Sequence, residues 1–132
     1  MAEQQAAALA EDVRRQIMSV AVPTIVSILY RKGLRNTMMF TPKPLNPDAA
    51  KFVGTAFTVR TIPTREDLVE ATGRGERPNL QAEATARAGA GDVLVVAMEG
   101  ETRTAFMGDI MATHFLAKGV AGVVLDLSLI HI

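Results

Sequence analysis

The stretch from Phe106 to Asp126 constrains the fold most, because it reads as turn, helix, turn and buried strand within twenty-one residues. Gly108 frees the backbone for a tight entry. Asp109 is expected as the N-cap, its carboxylate accepting a first-turn amide. Ile110, Met111, Phe115 and Leu116 are expected mostly on one face of a helix over 109–118. Lys118 in the last turn and Gly119 just beyond form the usual C-terminal pattern. Val120 to Leu125 is a near-continuous apolar run, as in a strand covered on both faces. Asp126 closes that run, where the carboxyl end of a strand presents a polar side chain to a ligand crevice.

Two readings of this layout stand side by side. Free amides at the start of the 109–118 helix, beside Gly108, make a candidate anion site favoured by the helix dipole. Asp109 and Asp126 could flank the same crevice and serve a divalent cation directly or through water. The alternative is an ordinary capped helix packed on an ordinary strand.

The strand expected over 93–98 precedes this helix, so 93–98, 109–118 and 120–125 form a βαβ unit. The two strands should be parallel neighbours or near-neighbours. Upstream, residues 3–18 are strong helix formers with an apolar stripe of Leu9, Val13 and Ile17. Pro23 suits the first turn of a second helix running to about Lys32 and stopped by Gly33. Pro42, Pro44 and Pro47 mark an irregular connection. Val53 to Ile62 alternates as a strand, with Gly54 a candidate bulge. Residues 64–78 are polar, carry two glycines and a proline, and read as a loop. A short alanine-rich helix is expected over 79–88.

Composition excludes several classes. A chain of 132 residues holds one domain, and 48% hydrophobic with 21% charged residues suits a globular one. A formal net charge of zero gives no electrostatic case for nucleic acid or an acidic membrane surface as partner. Without cysteine there are no disulfides and no thiolate metal sites, which fits a cytoplasmic location. No apolar run reaches membrane-spanning length, and the N-terminus lacks a signal-peptide pattern. No Gly-x-Ser-x-Gly is present for acyl-enzyme chemistry. Lys118, in a helix's last turn, is a poor Schiff-base candidate. His114 is expected in a surface or packing role. Arg60, Glu99 and Glu101 fall at strand ends, where a crevice or a plain polar turn explains them equally.

Several segments resemble one family. Gly108-Asp109-Ile110-Met111-Ala112-Thr113 followed by Lys118-Gly119-Val120-Ala121-Gly122-Val123-Val124-Leu125-Asp126 is similar to the core motif of the RraA-like proteins. These comprise the regulator of ribonuclease activity A, 4-hydroxy-4-methyl-2-oxoglutarate aldolases and oxaloacetate decarboxylases. The resemblance extends to Lys32-Gly33-Leu34-Arg35-Asn36-Thr37, to 52–60, to Pro63-Thr64-Arg65-Glu66-Asp67-Leu68 and to 91–96. Arg65-Glu66-Asp67 looks like the Arg-Glu-Asp of one subgroup, a solvated charge cluster being the alternative.

The resemblance implies an α/β domain of the three-layer swivelling β/β/α type, assembled as a trimer or hexamer with sites between subunits. It implies a lyase that cleaves a carbon–carbon bond in a 2-oxo acid with Mg²⁺ or Mn²⁺. Gly108, Asp109, Ile110 and Met111 would bind the substrate carboxylate, and Asp109 would act in catalysis. Asp126 and Arg65 come second. The other function it implies is regulatory, inhibition of ribonuclease E by binding.

One departure bears on activity. The family's motif aspartate is followed at a fixed spacing by Arg-Asp, within Asp-Gly-x-x-Arg-Asp, the arginine binding substrate carboxylate and the aspartate associated with metal. From Asp109 that spacing lands on Ile130 and His131. The RraA-like part is therefore expected over 1–126 and incomplete at its C-terminus, with no metal bound by this chain and little or no lyase activity. Apolar side chains over 120–130 are expected to be unusually exposed. Leu127-Ser-Leu-Ile-His-Ile132 is also what CTG TCT CTT ATA CAC ATC encodes, a string that looks like a transposon-end adapter used in sequencing libraries. Residues 127–132 are thus expected to be non-native. Sequencing the gene from source DNA should show codons for Gly-x-x-Arg-Asp directly after Asp126; codons for Leu-Ser-Leu-Ile-His-Ile and a stop would refute this.

Overall fold

Three strands, β1 (Thr55–Arg60), β2 (Asp92–Ala97) and β3 (Gly122–Leu125), form one parallel sheet in chain order, with β2 in the middle. The computed structural model describes residues 9–40, 42–63, 65–99 and 105–126. Five helices accompany the sheet among those residues: α1 (Glu11–Ser19), α2 (Val22–Arg31), α3 (Glu66–Gly73), α4 (Leu80–Arg87) and α5 (Asp109–Ala117). The sheet is parallel and α5 joins its two later strands, as the β2–α5–β3 pattern predicts.

Register aligns Phe57 with Leu94 and Val123, and Val59 with Val96 and Leu125. Because side chains alternate along a strand, these two rows share one face. They pack with Ala88, Met98, Phe106, Met107 and Phe115 into a single apolar cluster. Leu94, Val96 and Phe115 are the largest fully buried side chains, at 0, 1 and 2% exposure. Each contributes roughly 1.5–3 kcal/mol by leaving water. Small residues let α4 approach this face closely: Ala84 and Ala88 are both buried. On the opposite face Ala56, Thr58 and Arg60 remain exposed.

Four expectations change. The polar segment 64–78 contains helix α3, started by Glu66 and Asp67, whose negative charges suit a helix N-terminus. Gly54 is not a bulge; β1 starts after it, and an added Cβ would lie 2.3 Å from the Gly91 carbonyl oxygen. Gly54 is therefore a point of close backbone approach. Helix α5 does not turn one apolar face inward: Phe115 is buried, whereas Ile110 and Leu116 are 81 and 77% exposed. The helix is apolar around most of its circumference, so periodicity gives no direction. Finally, Val120 to Leu125 are half-buried, neither covered on both faces nor unusually exposed, because β3 is an edge strand of the described sheet; residues 127–132 lie outside the described residues.

Helix α2 follows its predicted range, whereas α1 starts only at Glu11, with Leu9 and its N-cap Ala10 outside the helix and residues 3–8 outside the described residues. Pro23 occupies the first turn of α2, and Gly33 just past its end has φ of 85°. Neither helix buries a residue. Arg35 folds back over the Tyr30 ring, 3.8 Å from its centroid, and donates to the Tyr30 carbonyl.

The glycines separate two kinds of constraint. The Gly91 carbonyl facing Gly54 also accepts the Thr55 amide at 3.1 Å. Gly54→Ala should therefore disturb the opening of the β1–β2 ladder and cost about 1–3 kcal/mol. Gly73, at the end of α3, has open space around the point where a Cβ would sit, with nothing within 4 Å. Gly73→Ala should be neutral or stabilising by up to about 1 kcal/mol. Thermal unfolding of the two variants checks the contrast; equal effects would contradict it.

Candidate functional site

In a parallel sheet the polar groups that can meet a ligand gather beyond the carboxyl ends of the strands. Here that rim carries Arg60 as the last residue of β1, Met98 and Glu99 after β2, and Asp126 after β3. Helix α5 starts at the same end, since it leads from the end of β2 back to the start of β3.

Gly108, not Asp109, is the N-cap of α5, with extended backbone (φ −110°, ψ −170°) and no side-chain cap. Asp109 is the first helical residue, where its carboxylate complements the dipole instead of capping an amide. The first backbone bond of the helix runs from the Ala112 amide to the Gly108 carbonyl at 3.0 Å. The amides of Asp109, Ile110 and Met111 thus have no acceptor among the described residues. Gly108, Asp109 and Ile110 are exposed, and Met111 is half-buried against the core. The substrate-binding set expected from the sequence is brought together as one uncapped helix start.

Asp126 has a different task. Its Oδ1 accepts the Met98 amide at 2.8 Å, and its own amide donates to the Val96 carbonyl at 3.2 Å. It ties the end of β3 to the end of β2. Arg65 is engaged locally, with Nε 3.1 Å and Nη2 2.6 Å from the two Asp67 oxygens. The Arg65 guanidinium holds the Asp67 carboxyl below its ordinary value, and Arg65 is raised in return. Both side chains are exposed, so Arg65 reads as the solvated charge cluster. Arg60 pairs with Glu99, Nε to Oε1 at 2.8 Å, across the ends of β1 and β2. Glu99 sits in left-handed backbone, φ 55°. His114 is exposed, its ring edge-on to Phe115.

Two residues acquire partners that the sequence did not advertise. Lys118 Nζ donates to the Thr85 and Ala86 carbonyls at 2.9 and 2.6 Å, closing the end of α4. Gln81 Nε2 donates to the Phe106 carbonyl, just before α5. Their only sequence signal is a long polar side chain beside an apolar face. Glu101, Ile130 and His131 lie outside the described residues.

Among the described residues no group of three or more His, Asp or Glu side chains converges to hold a metal ion. The rim carboxylates are spread over separate tasks: Glu99 on Arg60, Asp126 on Met98, Asp109 at the helix start.

A parallel sheet whose later strands are joined by the α5 crossover defines the α/β class of domain. Within that class the RraA-like model (Aldolase/RraA) matches residues 19–128, and the chain belongs to this family. The fold is similar to that of Streptomyces coelicolor RraAS2, described as an unusual member of the RNase ES inhibitor RraA protein family. That structure shares 28% identity at a TM-score of 0.72, over 89% of this chain and 55% of its own. An uncharacterized protein from Pseudomonas syringae pv. tomato str. DC3000 shares the fold, with 22% identity and a TM-score of 0.70, over 90% of this chain and 48% of its own. The chain spans about half the length of these solved structures. No helix among the described residues is long and apolar enough to cross a membrane.

The Asp126 contact gives a test. Asp126→Ala removes the acceptor of an amide beside the buried Met98 and should cost about 1–3 kcal/mol. Asp126→Asn keeps an acceptor oxygen and should lose less than half as much. Chemical denaturation of both variants measures this; equal losses would mean that the negative charge matters more than the hydrogen bond.

Proposed function

We propose that this chain carries the carboxylate-binding part of a lyase site for 2-oxo acids. The reactions are retro-aldol cleavage of 4-hydroxy-4-methyl-2-oxoglutarate and decarboxylation of oxaloacetate. The observation that supports this most is the uncapped start of α5, with the amides of Asp109, Ile110 and Met111 lacking acceptors among the described residues. Family membership supplies the reaction class.

In this reading the three amides hold the substrate carboxylate, and the helix dipole adds attraction. Cleavage breaks the C3–C4 bond and leaves its electron pair in a pyruvate enolate, while C4 departs as CO₂ from oxaloacetate or, once its hydroxyl has given up a proton to a base, as the 2-oxo carbon of a second pyruvate. Asp109 holds or delivers the proton that C3 then takes up. When bound, the Mg²⁺ or Mn²⁺ that the family resemblance implies would stabilise the enolate's charge, and the described residues contribute their amides and Asp109. Ile130 and His131 stand where the family's Arg-Asp would fall. The chain as written therefore binds the carboxylate weakly and turns over little or nothing. The assembly this reading implies is a trimer or hexamer in the cytoplasm.

A second reading has its own support. RraAS2 is described as belonging to a family of RNase ES inhibitors, which favours a protein-binding regulator acting on a ribonuclease of the E type.

Two measurements on the 132-residue chain test these readings. Amide resonances of Asp109, Ile110 and Met111 should shift on titration with pyruvate or oxalate; no shift would end the lyase reading. Pyruvate release from oxaloacetate with Mg²⁺ should equal the metal-only blank, and turnover well above it would overturn the expectation of inactivity. Saturable binding to immobilised ribonuclease E, without carboxylate-induced shifts, would favour the regulator.

A further inference from the structure

Helices α4 and α5 are fastened at both ends by side-chain-to-backbone hydrogen bonds. At the start, Gln81 of α4 donates to the Phe106 carbonyl, two residues before the N-cap of α5. At the far end, Lys118 after α5 donates to the Thr85 and Ala86 carbonyls in the last turn of α4. The helices therefore lie side by side and run the same way. Gln81 is itself held firmly. Asn79 caps α4, its Oδ1 accepting the amides of Gln81 and Ala82 at 3.1 Å each.

The turn into α5 is short. Phe106 and Met107 bury their side chains at 5 and 7% exposure, and Gly108 follows at once. Burial alone is not directional. The Gln81 hydrogen bond adds a direction, because it engages the Phe106 carbonyl. The direction of that peptide sets the path through Gly108, and so the aim of the amides of Asp109, Ile110 and Met111.

We propose that Gln81 is the positioning residue of the carboxylate site, aiming the α5 amides through the Phe106 carbonyl. This rests on the carboxylate-binding reading above. Gln81 touches no substrate; it acts through the turn. Misplacement by about 1 Å is enough to weaken a site built from oriented donors.

The test is Gln81→Met in the 132-residue chain. Methionine keeps the length and the helix propensity but cannot donate. Oxalate affinity is read from the amide shifts of Asp109 to Met111, and thermal unfolding is read in parallel. Affinity should fall about tenfold, while the unfolding midpoint moves by only a few degrees. Gln81→Lys, which restores a donor of sufficient reach, should recover most of the loss. If Gln81→Met binds oxalate as the wild type does, the proposal is overturned and the carboxylate reading survives. A fall in stability at unchanged affinity also overturns it, because the contact is then only structural. If the wild type itself shows no oxalate shift, the carboxylate reading fails and this inference fails with it.

Discussion

The arrangement at the rim depends on the burial of Phe115 against Leu94 and Val96. These three side chains are the largest that the described residues bury completely. Phe115 is also the only fully buried residue of α5, so one aromatic ring seats the whole helix on the sheet. Such an anchor fixes depth but not rotation or sliding, since dispersion and hydrophobic burial have little angular preference. Directional contacts supply what is missing. Gln81 and Lys118 stop the helix from turning about the ring or moving along its axis.

At the carboxyl end of the sheet, polar side chains are matched to one another. Glu99 holds Arg60, and Asp126 holds the Met98 amide. Beside them the amides at the start of α5 have no acceptor among the described residues, and the Asp109 carboxylate in the first turn complements the local field of the helix.

The β2–α5–β3 unit was legible because each boundary has a local cause. Gly119 is left-handed at φ 76°, and Lys118 ends the helix just before it. The family resemblance extended this to the fold. What escaped was tertiary. Helix α3 looked like a loop because exposed pairs such as Arg65–Asp67 support it, with no apolar stripe. The inward direction of α5 was hidden by apolar residues on several sides. Gly54 answers to a carbonyl at position 91, and Gln81 to one at position 106; neither relation leaves a trace in local spacing.

Strand order has a consequence for how the molecule assembles. β1 and β2 are adjacent in the sheet, yet the ring that closes over them lies on α5, beyond both in the chain. A β1–β2 ribbon emerging during synthesis has its ladder but no lid over Leu94 and Val96. Two parallel strands alone are marginal in water. The nucleus therefore completes only when Phe115 arrives, and folding is tied to the appearance of α5 and not to the first pairing event. Loop closure between distant segments precedes most of the stabilisation, which is the condition for slow, late-committing folding.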